Sequence, residues 1–200
     1  MKKITLIFLL AFLFGCKPAA KMIYGIKKPM LEDKQSIQAF LQNSKVDTTN
    51  VLCLRDFKSF ISVAQMKLMS FPNALFFNKD GAFVDYNQTP SDCNANVGTF
   101  ISDLTTFKNS TVDSTKTLNQ IIPYLDVDKN GIPQSDITVL ITFAKNTGKK
   151  LNKEKAFEWV KLLETAKQKG INVNYYLLNC DYQKSWNIPK QLYPKLGIKE

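Results

Sequence analysis

Apolar residues along this chain recur at two spacings, which together predict helices and strands that alternate. Phe157, Val160, Leu163 and Ala166 recur every three residues and give one apolar face to a helix. Residues 137–143 instead form a nearly continuous apolar run of strand length. The same patterns predict helices over 33–42, 57–69, 93–107, 118–125, 152–169 and 188–196, and strands over 51–54, 74–77, 82–86, 137–143 and 171–178. We therefore expect an α/β protein with one sheet of about five strands, because smaller sheets are marginal alone.

The start of the chain has the pattern of a bacterial export signal that ends in a lipidation site. A basic beginning precedes an apolar stretch over 4–14, which is too short to span a bilayer as a helix. The following letters LFGC, which end at Cys16, resemble the lipobox of bacterial lipoproteins, in which the cysteine is acylated. We expect residues 1–15 to be a signal peptide and residues 16–28 to be a lipid anchor and tether. An ordinary secretory signal is the alternative.

Location in the cell envelope follows from this interpretation. Several acyl chains on one cysteine anchor a protein stably to a membrane. Residues 17–21 contain no acidic residue, and in Bacteroidetes-like bacteria this favours a protein that faces the periplasm over one exported to the surface. The choice between inner and outer membrane stays open.

Composition narrows the chemistry that the chain can perform. It has no histidine, which excludes Ser-His-Asp and Cys-His catalysis and histidine-ligated metals. The formal net charge of +10 indicates either a solvated lysine-rich surface or contact with anionic lipid headgroups. Nucleic acid is not expected as a partner of an envelope protein.

Two pieces of the chain resemble the thioredoxin-like superfamily. Residues 70–86 (SFPNALFFNKDGAFVDY), with the helix after them, are similar to the family's proline, hairpin and final helix. In this resemblance Pro72 occupies the family's cis-proline position. Residues 136–198 are similar to its central strand, active-site loop, long helix, next strand and the short helix after it. The resemblance implies a three-layer sandwich in which helices flank one mixed sheet.

The two pieces stand in reversed order, because the hairpin half precedes the half with the central strand. We expect one domain over 29–200, in which halves 29–107 and 117–200 are joined by a linker over 108–116. A circularly permuted single domain and two packed half-domains are both compatible with this order. One composite sheet is the arrangement that we favour.

The thiol chemistry of the superfamily depends on a Cys-x-x-Cys pair after the central strand. The matching residues 144–152 contain no cysteine, so this position has no dithiol mechanism. Cys53 lies in an apolar strand and is expected to be an inert core residue. Cys93, near a helix start, and Cys180, after a strand, are the candidates for monothiol redox chemistry. The implied strand order places these two thiols farther apart than the Cα separation of about 7 Å that a disulfide allows, unless the loop over 87–92 closes the gap, so pairing stays an open alternative.

Lysines surround the start of the predicted long helix. Lys145, Lys149, Lys150 and Lys153 lie there, and Asn152 is the expected N-cap residue. Backbone N–H groups and ammonium groups that converge in this way can hold an anion or an acidic partner. A solvated basic face is the alternative.

A second candidate site follows a calcium-loop pattern. Asp126, Asp128 and Asn130 have the spacing of the first ligands of an EF-hand loop. The twelfth position holds Ile137 in place of the glutamate that such loops require. We predict an Asx-rich turn and no cofactor, with a calcium loop as the alternative.

These patterns together predict a membrane-anchored lipoprotein whose thioredoxin-like domain is a binding or accessory module and not an enzyme. Its expected partners are the membrane, through the lipid on Cys16, and a protein of the cell envelope. The alternatives are a monothiol redox protein that uses Cys93 or Cys180, and a structural envelope lipoprotein.

Overall fold

A computed structural model describes residues 23–86, 96–127, 131–133 and 135–199 of the chain. Its strands are β1 (Val51–Cys53), β2 (Asn73–Asn78), β3 (Ala82–Asp85), β4 (Thr111–Thr117), β5 (Ile137–Phe143) and β6 (Val173–Asn179). They form one six-stranded sheet in the order β1-β6-β5-β2-β3-β4. The pairs β1–β6 and β5–β6 are parallel, and the pairs β2–β5, β2–β3 and β3–β4 are antiparallel. The sheet is therefore mixed, and the predicted α/β class is confirmed.

Helices cover both faces of the sheet. They are α1 (Lys34–Gln42), α2 (Phe57–Gln65), α3 (Val97–Ser102), α4 (Leu118–Ile121), α5 (Lys149–Glu154), α6 (Ala156–Gln168) and α7 (Tyr193–Leu196). Apolar side chains of α1, α3 and α6 pack against one face, and those of α2 and α4 pack against the other. Among the residues described, no helix combines the length and the apolar character needed to cross a membrane.

Strand β5 is the centre of the sheet, and all seven of its residues are buried. Ile141 pairs with Ala74 of β2 on one side and with Leu177 of β6 on the other. Its side chain belongs to the core under α6, whereas that of Leu140 belongs to the core on the opposite face. A strand buried on both faces explains why residues 137–143 read as a continuous apolar run.

The sheet has six strands where about five were predicted, and part of the segment predicted as a linker over 108–116 forms the additional strand. A 3-10 helix (Leu104–Asn109) leads into β4, which pairs with β3 at the edge of the sheet. All seven residues of β4 are exposed or half-buried, so its sequence carries no apolar alternation that would distinguish it from a linker. Its threonines and valine are nevertheless residues that favour strands.

Helix boundaries also differ from the sequence prediction. The expected helix over 152–169 is divided at Lys155, where α5 ends and α6 begins. The expected helix over 57–69 ends at Gln65, and Asp56 caps its start. Asp33 caps α1, as predicted, because its carboxylate accepts a hydrogen bond from the Ser36 N–H at 2.8 Å.

Pro72 lies directly before β2, and its peptide bond with Phe71 is cis. Thr142 of β5 links this turn to the central strand. Its hydroxyl donates to the Ser70 carbonyl at 2.6 Å and accepts from the Asn73 N–H at 3.0 Å. The turn is thereby held at the carboxyl end of β5.

The central position of β5 predicts a large cost for truncating its side chains. Ile141→Ala should lower the free energy of unfolding by about 2–5 kcal/mol, because it leaves a cavity between β5 and α6. Val112→Ala, on the exposed edge strand β4, should change it by no more than about 0.5 kcal/mol. Urea denaturation of both variants checks this expectation, and equal losses would contradict the assignment of β5 as the centre.

Candidate functional site

The loop after β5 occupies the carboxyl edge of the sheet, where α/β proteins bind ligands. A 3-10 helix (Lys145–Thr147) follows β5, and α5 begins after Gly148. The residue before this loop, Ala144, is buried, and the residues of the 3-10 helix are half-buried. The loop therefore has neighbours that cover it.

The first neighbour is Asp181, which follows β6. The N–H of Lys145 donates to both carboxylate oxygens of Asp181, at 3.0 Å and 2.9 Å. Asn179 donates its side-chain N–H to the same carboxylate at 2.8 Å. Gln183 completes the network by donating to the Asn179 side-chain oxygen at 2.8 Å and to the Asp181 carbonyl at 2.9 Å. The loop donors thus already bind an anion, and that anion is the protein's own carboxylate.

Burial has a direct effect on Asp181, which is 4% exposed. Desolvation raises the pKa of its carboxyl group, and nearby Glu32 raises it further. The hydrogen bonds from Lys145 and Asn179 lower the pKa but do not offset the burial. The network therefore holds a carboxylate in an environment that makes its charge costly.

The second neighbour is the chain's own N-terminal segment, residues 23–32. The N–H of Lys27 donates to the Asn146 carbonyl at 2.8 Å, and Glu32 accepts from the Lys145 ammonium at 2.6 Å. A Cβ atom on Gly148 would lie 1.9 Å from the carbonyl oxygen of Tyr24. Residues 23–28, predicted as part of a tether, are instead packed on the domain.

The predicted role of Asn152 as N-cap was wrong. Asn152 lies inside α5, which begins three residues earlier, and its side chain is fully buried. Its side-chain N–H groups donate to the carbonyls of Ala144 at 2.8 Å and Gly148 at 2.9 Å. Asn152 therefore ties α5 to the loop from within, because its side chain adds hydrogen bonds to carbonyls that also accept from the Thr147 and Asn152 backbone N–H groups.

Three lysines of the predicted anion site, Lys145, Lys149 and Lys150, line one groove beside the loop, and Lys153 does not line it. Lys145 is paired with Glu32, and Lys149 and Lys153 are exposed. Lys150 lies 3.9 Å from Glu154, and both side chains are about half exposed, so this pair contributes little. The described lysines of the predicted site therefore form part of a basic groove in which Lys149 and Lys150 are exposed.

The thiols that the structure describes are poorly suited to redox chemistry. Cys180 follows β6 as predicted, but its thiol is buried and donates to the Leu178 carbonyl at 3.5 Å. Burial raises its pKa well above the usual value. In β1, burial and the charge of Asp126 raise the pKa of Cys53 to about 11. Both are free thiols, and a reactive cysteine needs a lowered pKa. Cys93 and Cys16 lie outside the described residues.

The calcium-loop candidate is described only in part, since Asp128 and Asn130 lie outside the described residues. Asp126 is exposed, and its backbone N–H donates to the Cys53 carbonyl at 2.8 Å. Within the described ranges, no three or more Asp, Glu, Cys or His side chains group as metal ligands would.

Four residues of this site were missed by the sequence reasoning: Glu32, Asn179, Asp181 and Gln183. One signal for three of them is present in the letters NCDYQ, which put polar residues directly after a buried strand. Scans against protein-family models, curated proteins and solved structures each found no match for this chain.

The contact between Gly148 and the N-terminal segment predicts that an added methyl group destabilises the fold more at Gly148 than at a glycine without such a contact. Gly148→Ala should lower the free energy of unfolding by about 1–3 kcal/mol more than Gly170→Ala does. Both glycines have positive φ, +94° and +86°, but only Gly148 has backbone within 4 Å of the added atom. Urea denaturation measures the difference, and equal losses would show that the segment does not lie on Gly148.

The raised pKa of Asp181 predicts how the stability of the fold depends on pH. Because its pKa is raised above 3.8 in the folded state, the folded protein binds this proton more tightly than the unfolded chain does. The contribution of Asp181 to stability therefore falls as the pH rises from about 4 through the raised pKa. The free energy of unfolding of the wild type, minus that of Asp181→Asn, should decrease over this range in urea titrations.

Asp126→Asn serves as the control, because it removes an exposed carboxylate from the same edge of the sheet. Its difference from the wild type should change less with pH than that of Asp181→Asn. A difference for Asp181→Asn that grows with pH would contradict the account of a buried, desolvated carboxylate.

Proposed function

We propose that this chain is a lipid-anchored, periplasm-facing lipoprotein whose domain is a thioredoxin-like binding or accessory module without dithiol chemistry. The observation that carries the proposal is the closed loop after β5. Its Lys145 N–H binds Asp181, and residues 23–32 cover it. A loop that is occupied in this way stabilises the domain and leaves the catalytic position of the superfamily without function.

The neighbours of β5 support a thioredoxin-like arrangement. β5 lies between the parallel strand β6 and the antiparallel strand β2, and α6 connects β5 to β6. β2 follows the cis peptide bond of Pro72 and forms a hairpin with β3. Together these relationships support the sequence resemblance, with the hairpin half first along the chain. Their sharing of one sheet favours a permuted single domain over two half-domains.

The absence of cysteine from 144–152 and the burial of Cys180 support a non-catalytic role. In a thiol enzyme the attacking group must be exposed and must ionise near neutral pH. Cys180 meets neither condition, so the redox alternative would depend on Cys93 alone.

The lipid anchor is supported by the pattern that ends at Cys16 and by its position relative to the fold. The sheet, the helices and both cores lie within residues 23–199, so cleavage before Cys16 would remove no described element. A partner in the envelope would then meet the domain close to the membrane surface.

Acylation of Cys16 is tested by expressing the full chain in a bacterium supplied with an alkyne-bearing fatty acid. The wild-type chain should incorporate the label, sediment with membranes and have a mature N-terminus at the modified cysteine, as read by mass spectrometry. Cys16→Ser should lose the label and remain uncleaved or become soluble, because no thiol is left to acylate. Cys53→Ser is the matched control and should behave as the wild type.

A label that persists in Cys16→Ser, or a mature chain with a free thiol at Cys16, would contradict the anchor. The accessory role is tested in the same cells by crosslinking the acylated protein and purifying it. A specific envelope protein that copurifies supports a binding module, whereas thiol-dependent reduction of a disulfide substrate by the purified protein would refute it.

A further inference from the structure

The N-terminal segment and the loop after β5 line one groove at the carboxyl edge of the sheet. Its wall carries two exposed apolar side chains, Ile23 at 55% and Met30 at 50%. Large apolar side chains with this exposure are few among the described residues. Apolar groups at a charged rim are typical of a surface that contacts another phase or another molecule.

Lysines give this groove a positive charge. Lys27, Lys28, Lys149 and Lys150 line it and are exposed. Among the described residues, no carboxylate lies within 4.0 Å of the ammonium groups of the first three, and the Glu154 partner of Lys150 is only weakly engaged. Glu32 also lines the groove, but its charge is matched by Lys145.

The short stretch of chain between Cys16 and Ile23 limits how far the groove can lie from the proposed lipid anchor. Ile23 lies seven residues after Cys16. Seven residues span at most about 25 Å when fully extended. If Cys16 carries acyl chains, the groove is therefore held near the bilayer, and the face that carries it is the face next to the anchor.

We propose that this basic groove lies on the anionic headgroups of the membrane, with its lysines at the lipid phosphates and Ile23 and Met30 at the interface. The inference rests on the proposed lipid anchor and adds a second contact to it. Lysines attract anionic lipid surfaces over a Debye length, and exposed apolar side chains add to the attraction at the boundary. The contact would orient the domain, so that the opposite edge of the sheet is left accessible to other envelope components.

The test uses the mature chain, residues 16–200, with Cys16→Ser, so that no acyl chain contributes to binding. All elements of the fold lie within this chain. Sedimentation is measured at low ionic strength with phosphatidylcholine vesicles that contain phosphatidylglycerol at about 30%, and with vesicles of phosphatidylcholine alone. The chain should bind the anionic vesicles, and about 0.5 M salt should release it by screening.

The variant with Lys27→Gln and Lys149→Gln should partition about 25-fold less into anionic vesicles, at about fivefold for each lysine. The matched control carries Lys108→Gln and Lys169→Gln, two exposed lysines of which Lys108 lies near Asp136, at the opposite edge of the sheet. It should retain wild-type partitioning. All four side chains are exposed, so both double variants should keep the urea midpoint of the parent chain.

Equal binding to neutral and anionic vesicles, or equal loss in the two double variants, would overturn the inference. No binding to anionic vesicles would also overturn it, while the proposed anchor would stand if Cys16 is acylated in cells. If instead the groove binds anionic vesicles and Cys16 is unmodified in cells, the headgroup contact is supported and the anchor is refuted.

Discussion

The carboxylate of Asp181 holds the loop after β5 in place, and the arrangement of the carboxyl edge depends on this interaction. It accepts from the Lys145 N–H at the point where the central strand ends. With its backbone donor occupied, the loop turns back through Gly148 and begins α5. The side chain of Asn152 then donates hydrogen bonds to the carbonyls of Ala144 and Gly148 in this turn. The edge that usually receives a ligand is thereby completed by the protein itself.

The N-terminal segment connects the covered loop to the proposed lipid anchor. Lys27 and Glu32 bind the loop from outside, and Gly148 has no side chain that would keep the segment away. The segment that leads from the proposed lipid to the domain is therefore also the cover of the loop. Under the proposed anchor, the covered loop would face the membrane, and residues 144–152 hold no cysteine that could perform thiol chemistry there.

Much of the fold could be predicted from the sequence because the buried strands and amphipathic helices have strong patterns. β5 and β6 were recognised by their apolar runs, and Asp33 by its capping position. Strand β4 could not be recognised, since an exposed edge strand has no buried face to mark it.

The position of the candidate site in the fold was predicted from the sequence, but most of the residues that form it were not. Lysines near a helix start suggested an anion site, whereas the anion is Asp181, which comes from 36 residues farther along the chain. Only the tertiary pairing of β5 with β6 brings these residues together.

Amide hydrogen exchange of the wild-type protein tests the closed loop most directly. The N–H groups of Lys27 and Lys145 should exchange far more slowly than those of an unstructured peptide, because each is bound within the covered loop. Exchange of both amides at the rate of a free peptide, in a protein whose β5 amides are protected, would contradict this expectation. That result would leave the loop open to solvent and available to a ligand.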